Sequence, residues 1–142
     1  MRVAITTGSG ASAVTLVLGD DANGAAVVQW RPGRTVMVET EPIFEAETPF
    51  LASRSNVTTR FTLVVERTFA SLPECLAHIR DHLLALPEQG TIEVSQTTGT
   101  GTQNVYLADA VIVEARIVEQ IGVSCTWQYE ILGGKFSSGA TP

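Results

Sequence analysis

The sequence predicts a mainly β protein with one α-helix, an antiparallel β-sandwich or barrel on which the single helix packs. Three observations predict it. Residues 57–69 and 122–131 alternate apolar and polar side chains with period two, the mark of half-buried strands. Residues 71–86 instead carry apolar side chains at helical spacing. The remaining segments are short apolar runs joined by Gly-, Asn- and Pro-containing turns, which favours antiparallel neighbours over a βαβ arrangement.

Four short strands are expected before the long ones, at 2–6, 13–18, 25–30 and 35–39. Asn23-Gly24 predicts a type I′ hairpin turn between the second and third, since both residues tolerate positive φ. Arg31-Pro32-Gly33-Arg34 predicts a turn between the third and fourth. In the strand 57–69 the odd positions include Val57, Phe61, Leu63, Val65, Arg67 and Phe69.

The helix 71–86 rests on agreeing signals. Ser71 and Glu74 form a capping-box pattern, and Pro73 is tolerated in a first turn. Leu72, Leu76, Ile79, Leu83 and Leu86 make one apolar stripe, which is expected to face the sheet, with Glu74, Arg80 and Asp81 left in water. Pro87 stops the helix and Gly90 lets the chain reverse.

After the helix come strands at 91–95, 105–118 and 122–131. In 105–118 one face is expected to hold Val105, Leu107, Val111, Val113, Ala115 and Ile117; in 122–131 the inward set is Val123, Cys125, Trp127, Tyr129 and Ile131. Residues 95–104 read as a polar Gly/Thr hairpin tip exposed to solvent. Residues 1–134 thus form a single domain, and 135–142 a flexible C-terminal tail.

Composition narrows the function. Nine basic against fifteen acidic residues give a net charge of −6, with one lysine, Lys135, among the cations. Such a surface repels nucleic acid at long range, so specific DNA binding is not expected. No apolar run approaches the ~20 residues of a membrane helix, and Met1-Arg2-Val3-Ala4-Ile5-Thr6 lacks the continuous apolar core of a secretion signal, which places the protein inside the cell that makes it.

No catalytic, cofactor-binding or metal-binding residue is assigned. His78 and His82 have the one-turn spacing seen in zinc sites, but Ala77, Ile79, Arg80 and Leu83 around them supply no third ligand, and a solvated or rim-packed pair is expected. Cys75 and Cys125 are too few for a disulfide framework and are expected as buried, reduced thiols, with a bridge possible if the helix packs on that strand. Gly8-Ser9-Gly10 and Gly99-Thr100-Gly101 are too short to cradle a phosphate. The hydroxyl-rich stretches lack a histidine to activate them. Asn56-Val57-Thr58 matches a glycosylation acceptor formally, and reads as the polar start of a strand.

The segment that stands out is 40–56, with Pro42, Pro49, the glutamates Glu39, Glu41, Glu45 and Glu47 in and beside it, and the apolar Ile43, Phe44, Phe50 and Leu51. Long loops in compact domains bind something or move, and aromatic residues in an acidic loop make an inter-subunit contact loop of Ile43, Phe44, Phe50 and Leu51.

The run Arg54-Ser55-Asn56-Val57-Thr58-Thr59-Arg60-Phe61-Thr62-Leu63-Val64-Val65-Glu66-Arg67-Thr68-Phe69, then the helix, Leu86-Pro87-Glu88-Gln89-Gly90 and a last strand ending Tyr129-Glu130-Ile131-Leu132-Gly133-Gly134, resembles structural proteins of tailed bacteriophages. This order of long strand, helix and returning hairpins is similar to the tail tube fold, shared by tube subunits, the distal tail ring at the baseplate and related secretion tubes. The resemblance covers the chain from Arg54 onward and is one of element order. It implies a virion tail subunit assembled in the bacterial cytoplasm. Such a subunit forms a homo-oligomeric ring, usually hexameric, and joins other tail proteins around a channel through which DNA passes without specific binding.

Two readings compete. One is a small non-catalytic binding module using Trp30, Trp127 or Tyr106 as an aromatic platform; the other is a ring at the head–tail joint or tail end. An enzyme would need a pocket gathering Asp109, Glu114 or His78 around a metal.

Overall fold

The structure, a computed structural model, describes residues 1–41 and 50–138, with side chains described at 1–34 and 58–138. Strands β1 (Arg2–Thr7), β2 (Val14–Asp20), β3 (Ala25–Glu41) and β4 (Phe50–Thr68) precede helix α1 (Leu72–Ala85). Strands β5 (Gln89–Thr98), β6 (Gly101–Ile121), β7 (Ser124–Gly133) and β8 (Phe136–Ser137) follow it. All pairings are antiparallel, in the order β5-β1-β2-β3-β4-β7-β6-β8, and β6 also pairs with β5. That extra pairing closes the sheet into a barrel. The mainly β class with one helix is therefore as the sequence predicts.

Closure depends on β6 serving two partners. Its first half pairs with β5 and its second with β7, the exchange falling at Val111, which sits opposite both Gln89 and Leu132. The barrel is thinnest between β2 and β3, where one pair, Asp20 with Ala25, joins the strands. Gly19 permits the approach there, because a Cβ would lie 2.8 Å from Val27 Cγ2 and 2.9 Å from Val65 Cγ2.

The long alternating strands behave as their pattern dictates. Phe61, Leu63 and Val65 of β4 and Cys125, Trp127, Tyr129 and Ile131 of β7 all point inward and are buried, joined by Val3, Ile5, Leu18, Ile92, Val94, Leu107 and Ala110. Burying a large apolar side chain contributes about 1.5–3 kcal/mol, so these strands carry most of the driving force.

Several expected breaks are absent. No turn interrupts β3, because Pro32 and Gly33 sit opposite Phe61 and Arg60 within a continuous ladder. Past Ala25 the other edge of β3 has no strand beside it among the described residues, and an edge strand tolerates a proline without an N–H. The Asn23-Gly24 hairpin is instead a 3-10 turn, Asp21–Asn23, with Gly24 alone in the left-handed region at φ 77°. Asp20 fixes it by accepting from Ala22 N and Asn23 Nδ2. The tip at 95–104 shrinks to Gly99-Thr100, since β5 runs to Thr98 and β6 starts at Gly101.

In β6 the expected inward set fails midway. Asp109 takes φ 51°, and the register shifts between Ile112 and Glu114. Each extra residue flips the face presented, so Leu107, Ala110, Ile112, Ala115 and Ile117 meet the core while Val111 and Val113 turn outward. Within the expected tail, Phe136 and Ser137 form β8, where Phe136 stacks on Phe61 at 6.0 Å and meets Trp30 edge-on at 6.3 Å.

Helix α1 starts as expected, with the Ser71 hydroxyl accepting from Glu74 N at 3.4 Å, and ends at Leu86, which Pro87 holds extended. Its buried face is only part of the expected stripe, turned toward the histidines. Cys75 and His82 are buried, and Ile79 and Leu86 pack on the core, whereas Leu72, Leu76 and Leu83 are about half exposed and Leu84 is 80% exposed. The buried face shares Ile79 and Leu86 with the expected stripe and is turned roughly 50° from it on the wheel. The histidine side wins because the inward Trp127 and Tyr129 of β7 carry an N–H and an O–H that need partners once buried.

Candidate functional site

Two places depart from a plain barrel. The first is an arm. β3 and β4 pair from Ala25–Arg67 to Glu41–Phe50, but β7 accompanies β4 only from Thr59 to Thr68. Residues 35–41 and 50–58 therefore run on as a two-stranded ribbon roughly 20 Å long, with no further strand on either edge among the described residues. Of the expected contact residues, Phe50 and Leu51 lie in β4 opposite Glu41 and Thr40, and Ile43 and Phe44 fall outside the described residues. The segment 40–56 is thus strand at both described ends, because the β3–β4 ladder continues past the barrel.

The second place is a polar cluster beneath α1. Trp127 Nε1 donates to His78 Nε2 at 3.1 Å, and His82 Nε2 shares a 2.5 Å hydrogen bond with the Tyr129 hydroxyl. The two imidazoles stack at 5.1 Å, and His82 meets the Trp127 ring at 4.8 Å. An indole N–H can only donate, so His78 Nε2 presents its lone pair and the ring proton sits on Nδ1. Burial, reinforced by His78 and Arg67, holds His82 down to about 4. Burial also lowers His78, helped by Arg67 and opposed by Asp81, and burial raises Tyr129. Of the pair expected to be solvated or rim-packed, His78 is half-buried at the edge of a cleft, as a rim-packed residue, whereas His82 is buried against the core.

Arg67 completes the cluster. Its Nη2 donates to the carbonyl oxygens of Val17 at 3.1 Å and Leu18 at 3.4 Å, bridging the thin join between β2 and β3, and its Nε is buried without a partner. The sequence carried the signal, since Arg67 occupies an inward odd position of the strand 57–69. Cys75 and Cys125 are buried free thiols, as expected, and burial together with Cys75 pushes Cys125 up to about 11.

Among the described residues no three His, Cys, Asp or Glu side chains gather to hold a metal ion. Asp109 and Glu114 are exposed on β6, away from the cleft that His78 lines. Of the aromatic residues considered as a platform, Trp127 is buried, Trp30 packs against Phe61 and Phe136, and Tyr106 accepts from Asn104 Nδ2 at 3.3 Å. Compared with known proteins, the sequence matches no protein-family model and no curated protein.

Proposed function

We propose that this protein is a structural subunit of a bacteriophage or phage-like tail, assembling into rings that form or join the DNA-conducting tube. One observation carries the reading: the β3–β4 arm, whose two open edges run beyond the barrel. A lone two-stranded ribbon is marginal in water, and an open strand edge is a template for pairing, so an arm of this kind finds its partners on a neighbouring subunit. A closed ring satisfies every such edge at once. The net charge of −6 suits a conduit wall, since like charge keeps DNA from adhering. Ring formation, hexameric by the resemblance, is the role of the chain, with no chemistry of its own.

Light scattering and negative-stain imaging of the full chain, alone and with its neighbouring tail proteins, test the proposal. Rings are the expected outcome, and a variant in which a short turn replaces 36–57 is expected to keep the barrel and stay monomeric. A full-length chain that remains a compact monomer under all these conditions overturns the reading.

A further inference from the structure

The cleft at the β2–β3 join has a volume of about 340 Å³, within the range of small-molecule sites. Leu16, Val17 and Ala25 give it apolar walls, and Arg67, His78, His82 and Asp20 give it polar ones. We infer that this cleft is a binding site for a small organic monocarboxylate, held by Arg67 and His78.

The donors and acceptors do not balance. Among the described residues no ion pair within 4.0 Å engages Arg67. Its guanidinium spends Nη2 on two neutral carbonyl oxygens and keeps a buried Nε–H with nothing to donate to. A half-buried cation lacking a counter-charge is costly, and so is a buried donor without an acceptor. His78 adds a second donor, because Trp127 occupies Nε2 and leaves the proton on Nδ1, for which no acceptor is present among the described residues. A carboxylate in the cleft supplies the counter-charge that Arg67 lacks and an acceptor oxygen for the His78 ring N–H.

Asp20 sets the charge limit. Its oxygens are already engaged by Ala22 N, Asn23 Nδ2 and, at 3.8 Å, Arg2 Nε, so it does not neutralise Arg67 and remains a fixed negative charge on the same wall. A dianion meets twice the repulsion there that a monoanion does. The apolar walls favour an acid with a short hydrocarbon tail over acetate.

Titration of the full chain with acetate, butyrate and inorganic phosphate, at ionic strength matched with chloride and followed by NMR of the Arg67 Nε–H and the His78 ring, tests the inference. Butyrate is expected to saturate with a Kd of about 1–10 mM, tighter than acetate, and phosphate to bind more weakly than either. Arg67→Gln, checked for fold by circular dichroism, weakens butyrate at least tenfold. Arg67→Lys, which keeps the charge but lacks the planar guanidinium, also weakens it and serves if the glutamine variant unfolds. Shifts no larger than those with chloride, stronger binding of phosphate, or undiminished butyrate binding by both variants would overturn the site.

Discussion

His82 and Tyr129 meet across the join of α1 and β7 through a 2.5 Å hydrogen bond between Nε2 and the phenolic hydroxyl. Each would otherwise leave a polar atom against the Trp127 ring, so the bond lets a histidine serve as the buried residue of the helix.

Acid is therefore expected to loosen the protein through His82. Its ordinary value is 6.5 and its folded value about 4, so at pH above 6.5 both folded and unfolded states hold it neutral and its contribution is complete. As the pH falls from 6.5 toward 4 the unfolded chain binds the proton first, and stability drops by up to about 3 kcal/mol. Urea midpoints at pH 7.5 and 4.5 should differ clearly in the native chain and by much less in His82→Gln. Equal differences in the two proteins would contradict the neutral, buried imidazole.

Tyr129→Phe removes the partner while keeping the ring. The expected cost is about 1–3 kcal/mol, with the denaturant slope unchanged, because His82 Nε2 is left unpaired in the core. A stability equal to the native chain would mean that water replaces the hydroxyl.

The outward leucines give the opposite result. Leu84→Gln and Leu76→Gln should each change stability by no more than about 0.5 kcal/mol, whereas Ile79→Ala, on the packed side of the helix, should cost about 2 kcal/mol or more. The reverse ranking in thermal melts would put Leu76 and Leu84 on the buried face.

Glycines separate in the same way. A Cβ at Gly90 would stand 2.6 Å from the backbone oxygen of Thr6, which cannot swing aside, so Gly90→Ala should cost about 1–3 kcal/mol or block folding. At Gly33 the nearest atom is Arg60 O at 3.5 Å, an ordinary contact, and Gly33→Ala should be tolerated. Comparable losses at both positions would argue against the close β1–β5 contact.

Both thiols should resist a disulfide reagent at pH 8 until denaturant is added, since Cys75 and Cys125 are buried and Cys125 is pushed up to about 11. Prompt reaction of either would show that α1 lifts off β7.

What the sequence disclosed follows from how each signal arises. Period-two alternation in β4 and β7 reports burial directly, and it placed Phe61, Leu63, Val65, Trp127 and Tyr129 correctly. The helix ends were legible too, because Ser71 and Pro87 act locally. Its orientation was not, since hydrophobicity alone ranks Leu76 above His78, while the choice was made by hydrogen-bonding groups on a strand 49 residues away. Bulges in β6 defeated the phase for the same reason: Asp109 gives no local sign that its φ is positive. Arg67 was visible as an inward charge, but its carbonyl partners lie 50 and 49 residues distant.

The single backbone pair between Asp20 and Ala25 gives the barrel a preferred line of rupture. Pulling β2 from β3 there sacrifices one ladder pair, the two contacts of one guanidinium and the bond from Val27 N to Asp21, while every other join keeps a longer ladder. The cylinder can thus unroll into a curved ribbon of strands without losing its secondary structure, and hydrogen exchange at that edge would run ahead of global unfolding.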